Sequence, residues 1–323
     1  MWEYADPDLF RSRSSPAAAQ IGRILDGGTA KWVAFFVSGK TYDNTLYPSI
    51  YIVDISDGSV LERVFLNTES QGAGGTPSGQ PAIVDSDGNG YIDRMYIGTD
   101  KGYMYKVNIP DNPDAVDYAI SHCIINTDFE DDDGNLVAES QHLHPIYASP
   151  TVVVEKRLTD SGGFEYDTQI FFGTGDSPYY DEDINTSDTT YHFFAYLDQD
   201  DKGGTSASSV TLEWFYELPA GHRIFASAFA AAGTIYFGTS TAETEDPCED
   251  TNEGKIIALS IEDGTTVHEE EVGNIITAPL VEDRHLYFKT PTGTISFGGD
   301  DYNNPLSIGG TSQISTRMWR ELF

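Results

Sequence analysis

Basic residues are scarce in this sequence: 18 Lys and Arg stand against 52 Asp and Glu, a formal net charge of −34. A chain so acidic gains no affinity by neutralising phosphates and is repelled by anionic lipid, which argues against nucleic acid and against a peripheral membrane role. Long apolar runs are missing too. No stretch approaches the roughly 18 residues that a transmembrane helix needs, so no direct membrane insertion is expected. The opening Met1-Trp2-Glu3-Tyr4-Ala5-Asp6 has neither a basic nor an apolar leader region, and the expectation is a mature or excised piece of a larger protein. Cysteine is limited to Cys123 and Cys248. Far apart in sequence, they fit one disulfide or two buried thiols equally well.

What is present argues for a packed β domain. A hydrophobic share of 39% with 12% aromatic residues is enough for a core, which removes disorder as the explanation of the high charge. The 19 Tyr and 17 Phe favour strands, and 31 Gly mark many turns. The acidic excess itself requires only a solvated surface, although it is also compatible with divalent cations.

A repeat runs through the chain. A short strand opening with a small residue and often Pro recurs at Ser15-Pro16-Ala17-Ala18-Ala19, Gln80 to Val84, Ser149 to Val153, Ser227 to Ala230 and Ala278 to Val281. Each is followed by an aromatic-rich strand that usually stops at Gly-Thr or a relative: Trp32 to Gly39, Arg94 to Thr99, Gln169 to Thr174, Thr234 to Thr239 and His285 to Thr290. Third strands are expected at Ser49 to Ile55, Gly102 to Ile109, Tyr191 to Leu197, Lys255 to Ile261 and Thr294 to Phe297. Asp57-Gly58 and Asp263-Gly264 then turn into fourth strands, and Val210 to Leu218 supplies another.

Four antiparallel strands, repeated, are what a propeller blade requires. The expected fold is therefore an all-β propeller of four-stranded antiparallel blades, with five or more blades or part-blades in a single domain over 1–323. Uneven spacing between copies places loop inserts near 128–144, 176–190, 198–209 and 243–252, the length at which loops carry function or move. Trp2-Glu3-Tyr4 reads as a last strand without its first three, and Arg317 to Leu322 completes the final blade.

One loop carries sharp chemistry. Asp85-Ser86-Asp87-Gly88-Asn89-Gly90-Tyr91-Ile92-Asp93 has oxygen donors at positions 1, 3, 5 and 9 and Gly at position 6, the first nine places of an EF-hand-like loop. Side-chain oxygens of Asp85, Asp87, Asn89 and Asp93 with the Tyr91 carbonyl form an expected calcium site. Three carboxylates within nine residues repel one another unless a cation screens them. Position 12 is Tyr96, in the following strand, so the loop joins a hairpin and not two helices. Asp131-Asp132-Asp133-Gly134-Asn135 reads as a second cation site or an exposed acidic loop. His142 and His144, with His122, read as a transition-metal set or as loop histidines. Neither cysteine has a nearby base in sequence, and no catalytic residue is expected.

The run from Pro81 to Thr99 with Gly102 to Val107 resembles the C-terminal propeller of the PilY1 family, the type IV pilus tip-associated adhesins. Lys31 to Gly39 before Ile50 to Asp54, the closing Trp319-Arg320-Glu321 and the opening Trp2 to Leu9 extend the resemblance over nearly the whole chain. It implies a modified quinoprotein-like propeller with one calcium loop, whose carried-over ligands are Asp85, Asp87, Asn89, Tyr91 and Asp93. It implies no enzyme, an extracellular place at the pilus tip with minor pilins as partners, and roles in surface adhesion and in calcium-dependent control of pilus extension and retraction. A calcium-binding FG-GAP-like extracellular propeller and a quinoprotein dehydrogenase are the competing readings. The second commonly has a vicinal cysteine pair, which this sequence lacks.

Overall fold

A computed structural model describes residues 19–38, 49–66, 77–100, 102–109, 120–123, 129–130, 136–137, 144–158, 162–175, 190–199, 210–241, 253–275, 277–282, 285–290 and 293–298. Among them every regular element is a strand, and no helix is long and apolar enough to cross a membrane. The first sheet is the antiparallel meander β1 (Gln20–Asp26), β2 (Thr29–Val37), β3 (Ser49–Asp54) and β4 (Val60–Phe65). The second repeats that order with β5 (Ala82–Val84), β6 (Arg94–Gly98), β7 (Met104–Asn108) and β8 (Ile120–Cys123). A two-residue ladder of β9 (Phe129–Glu130) and β10 (Leu136–Val137) follows, inside the insert expected at 128–144.

The third meander is β11 (Thr151–Leu158), β12 (Phe164–Gly173), β13 (His192–Asp198) and β14 (Val210–Glu217). After it come β15 (His222–Arg223), β16 (Phe229–Ala231), β17 (Thr234–Gly238), β18 (Ser240–Thr241), β19 (Lys255–Ser260) and β20 (Thr266–Glu271). Of these, β16, β17, β19 and β20 build the fourth meander while β15 pairs with β18. The last sheet runs β21 (Leu280–Glu282), β22 (His285–Thr290) and β23 (Gly293–Gly298). Two compact units contain them: Met1–Pro150 with Asp198–Thr211, and Thr151–Leu197 with Leu212–Phe323.

The first strand β1 begins at Gln20, while Ser15 to Ala18 of the segment expected to open it lie outside the described residues. In the four later copies the small residue or Pro stands just ahead of its strand: Pro81 before β5, Pro150 before β11, Ala228 before β16, Pro279 before β21. Proline has no N–H for a ladder, so it opens a strand more readily than it lies within one. The segments around Trp2 and Trp319, Asp131 to Asn135, the inserts 176–189, 200–209 and 243–252, and Cys248 lie outside the described residues.

Both faces of the inner strands are buried, which explains their aromatic and β-branched content. Along β19, Ile257 and Leu259 join one core with Phe171, Phe193, Trp214 and Phe237, while Ile256 and Ala258 join a second with Tyr236, Leu286 and Phe288. A strand with period-two side chains feeds two cores only if sheets stack on each side of it. Phe193 and Phe237 lie face to face across one such layer, with centroids 4.1 Å apart. In the first unit a comparable core gathers Ile24, Val33, Phe35, Ile50, Ile52, Met95, Ile97 and Val107.

The recurring Gly-Thr has a structural cause. Thr99, Thr174 and Thr239 stand directly after their sheets' second strands, and each exchanges hydrogen bonds with a residue at or just before the start of the third. Thr174 N–H donates to the His192 carbonyl at 2.9 Å, and the His192 N–H donates to Thr174 Oγ1 at 3.0 Å. Thr99 does the same with Tyr103, Thr239 with Lys255, and Ser38 with Ser49 in the first sheet. The threonine carbonyls then accept an N–H from an isoleucine that leads into the next sheet: Ile146 to Thr99 at 3.0 Å, Ile224 to Thr174 at 3.2 Å, Ile275 to Thr239 at 3.0 Å. The preceding Gly98, Gly173 and Gly238 leave the space those isoleucines fill, since a Cβ on any of them would collide with the isoleucine side chain.

Gly173→Ala is therefore expected to force Ile224 off its seat and to destabilise the fold by about 1–3 kcal/mol, as overpacking of a filled core does. Urea unfolding measures it, and an unchanged midpoint would show that the close approach carries no weight.

Candidate metal centre

The nine residues 85–93 connect β5 to β6, whose last register pair is Val84 with Arg94. The neck closes where the Asp93 N–H donates to the Val84 carbonyl at 3.0 Å. Beyond it the backbone is curled by the loop's own side-chain oxygens. The Asn89 N–H donates to Asp85 Oδ1 at 3.0 Å, and the Gly90 N–H to Asp85 Oδ2 at 2.7 Å. Asn89 N–H also reaches Asp87 Oδ1 at 3.3 Å, and the Tyr91 N–H donates to Asn89 Oδ1 at 2.8 Å. Gly90, at position 6, has φ +90°, a backbone conformation that side-chain-bearing residues rarely adopt.

This curl brings together one carboxylate oxygen each from Asp85, Asp87 and Asp93, all within 4.8 Å of one another. Among the described residues they form the one group of three or more metal-ligating side chains. Asp93 is 7% exposed and receives both donors of Ser86, the N–H on Oδ1 at 3.0 Å and the hydroxyl on Oδ2 at 2.9 Å. Burial still dominates and pushes its carboxyl up to about 6, against the opposing effect of the Ser86 hydrogen bonds. Burial also raises Asp85, opposed by the Gly90 N–H and reinforced by its neighbour Asp87. Negative charge is thus costly here, and a cation at this place would offset that cost. The donor set is hard oxygen throughout, which suits calcium or magnesium and not a thiol- or imidazole-seeking metal.

Three of the five expected donors converge as side chains. Asn89 is exposed and holds the Tyr91 N–H with its side-chain oxygen, while Tyr91 enters the reading only through its backbone. Of the histidines, His142 and the side chain of His122 lie outside the described residues, and His144 joins no metal-ligating group among them. Cys123 is on β8, with its side chain undescribed.

Behind the loop lies a buried ionic cluster that the motif did not reveal. Lys106, wholly buried on β7, places Nζ 2.7 Å from Asp198 Oδ2 and 3.0 Å from Oδ1. The Tyr96 hydroxyl donates to Asp198 Oδ2 at 2.6 Å, and Arg94 Nη1 stands 3.6 Å from the same oxygen. Burial, and then the Asp198 charge, hold the Tyr96 phenol far above its ordinary range, so it stays a donor. The one cue in the sequence was a lysine inside the apolar run of β7, Met104-Tyr105-Lys106-Val107. All four residues belong to the first compact unit. Arg94 adjoins Asp93 in the chain, and its charge opposes the rise of the Asp93 carboxyl.

A family model described as the PilY1 beta-propeller domain matches residues 14–213. No curated protein matches the chain in sequence. Among solved structures, the PilY1 C-terminal domain of Pseudomonas aeruginosa aligns over 90% of this chain and 73% of its own, with a TM-score of 0.59 at 13% identity. BamB from Moraxella catarrhalis aligns over 88% of this chain and 82% of its own, with a TM-score of 0.37 at 11% identity. The likeness to the first structure supports the propeller architecture expected from the repeat; the second is too distant to add to it.

Removing Asp198 leaves Arg94 and Lys106 buried around a missing anion. Asp198→Ala should cost about 3–5 kcal/mol, the range for a buried pair that loses one partner. A urea midpoint that moves by less than a surface substitution's effect would contradict it.

Proposed function

The chain belongs to the PilY1 β-propeller family, and from that premise we propose that it is the calcium-binding propeller module of a type IV pilus tip-associated protein. In this reading residues 1–323 form a single propeller domain that acts at the cell surface in adhesion and in calcium-dependent control of pilus assembly and retraction. It has no enzymatic role, and its partners are minor pilins or other tip proteins. One observation carries the calcium part: Asp85, Asp87 and Asp93 converge within 4.8 Å on a nine-residue hairpin loop of a PilY1-type propeller. Asn89 and the Tyr91 carbonyl would complete the oxygen set, and calcium's tolerance of six to eight oxygens in irregular geometry suits such a loop better than magnesium's strict octahedron.

When bound, calcium supplies positive charge and a fixed length between β5 and β6. The chain's own residues do the rest. Asp93 anchors the loop to the buried neck, Asp85 holds the Asn89 and Gly90 amides inward, and Ser86 keeps Asp93 oriented. The loop then presents one conformation at the edge of its blade, which is how calcium supply becomes a property of the surface that partners meet.

The test is a thermal melt of the wild type and Asp87→Ala, each with calcium and with chelator. At 100-fold excess over its dissociation constant, calcium should stabilise the wild type by about 2.7 kcal/mol. Asp87→Ala should lose that increment while melting in chelator much as the wild type does, and magnesium should substitute poorly. In cells, the same substitution should change piliation and surface attachment without lowering the amount of protein. A wild-type melt indifferent to chelator, with no calcium heat in calorimetry, would reduce the loop to a hairpin turn.

A further inference from the structure

The calcium loop does not stand alone: β1 of the preceding sheet holds it at positions 7 and 8. The Ile92 N–H donates to the Arg23 carbonyl at 2.6 Å. The Tyr91–Ile92 peptide is trans, as are the others described, and in a planar trans peptide the N–H and C=O point in opposite directions. With its N–H given to β1, this peptide turns the Tyr91 carbonyl away from β1.

Two further contacts hold the same peptide from either side. The Arg23 guanidinium lies over the Tyr91 ring, 4.8 Å from its centroid. Ile92, 2% exposed, occupies the space that a side chain on Gly22 would need, since a Cβ there would stand 2.6 Å from Ile92 Cγ1. Neither Gly22 nor Arg23 belongs to the loop, and neither offers a ligand. All these residues lie in the first compact unit.

We propose that Gly22 and Arg23 are positioning residues for the calcium site, fixing the Tyr91–Ile92 peptide so that the Tyr91 carbonyl faces the ion as its backbone ligand. This rests on the calcium reading given above. Because the same contact is made from both sides, the coupling is reciprocal: whatever secures the peptide on β1 tightens calcium binding, and calcium in turn secures β1.

Calcium titration calorimetry of the whole chain tests it with Arg23→Ala, Arg23→Lys and Gly22→Ala. Losing the cation over the ring should weaken calcium binding about three- to fivefold, and Arg23→Lys should restore most of it. Gly22→Ala, which pushes Ile92 and its N–H off β1, should weaken binding about tenfold. The calcium-induced rise in melting temperature should shrink in step, whereas a residue with only a structural role lowers the melt equally with calcium and with chelator. In the wild type, calcium should also slow hydrogen exchange of the Ile92 amide. If Gly22→Ala does not fold, the two Arg23 variants decide. Wild-type affinity in Arg23→Ala alongside a calcium-binding wild type overturns this inference and leaves the calcium reading intact. A wild type that takes up no calcium removes both.

Discussion

Three carbonyls, those of Thr99, Thr174 and Thr239, fix the lead-ins between strands, the first within one compact unit and the other two within the second. Each belongs to the residue directly after a second strand, and each receives the N–H of the isoleucine that leads toward the next sheet. A buried backbone acceptor must be satisfied, and here the partner lies 36–50 residues along the chain and not in the same ladder. Several features of the sequence follow from that one contact. The residue before the threonine must be Gly so that the isoleucine fits, and the hydroxyl must be present so that the opening of the third strand is pinned beside it. With the lead-in fixed, successive sheets of the second unit are held close enough for β19 to divide its side chains between two cores.

The candidate metal centre grows from the same economy of space. Its loop replaces a tight turn between β5 and β6, and the neck residue Asp93 is drawn into the core along with the strand it opens. Two features make that tolerable: the two hydrogen bonds from Ser86 and the charge of the neighbouring Arg94. The cluster of Lys106, Tyr96 and Asp198 behind it follows the rule that buried charge survives only when it is paired and hydrogen-bonded. Among the described residues, Asp54, Asp93 and Asp198 are acidic groups drawn into the interior.

Much of this was legible because it is local. Alternation and the Gly-Thr stops located β22 and β17 to within a residue, and the Asp-Gly pairs marked the hairpins that lead to β4 and β20. In those turns Gly58 donates to Asp54 and Gly264 to Ser260, the same geometry in two copies. The loop's donor spacing singled out Asp85, Asp87 and Asp93, which do converge. Other features left no local trace. In β8, Ile120-Ser121-His122-Cys123 carries no turn signal and only weak alternation; its strand state comes from pairing with β7.

The sequence by itself determined the period, the strand type, the turns and the set of oxygen donors, all of which depend on residues within a dozen positions of one another. Only the tertiary structure decided which distant groups meet. Asp198 comes to Lys106 across 92 residues and to Tyr96 across 102, Ile146 comes to Thr99, and Arg23 comes to Tyr91 and Ile92. The physical reason is that the donor and acceptor capacities are written residue by residue, whereas their pairing depends on how the sheets stack. No spacing rule along the chain records that.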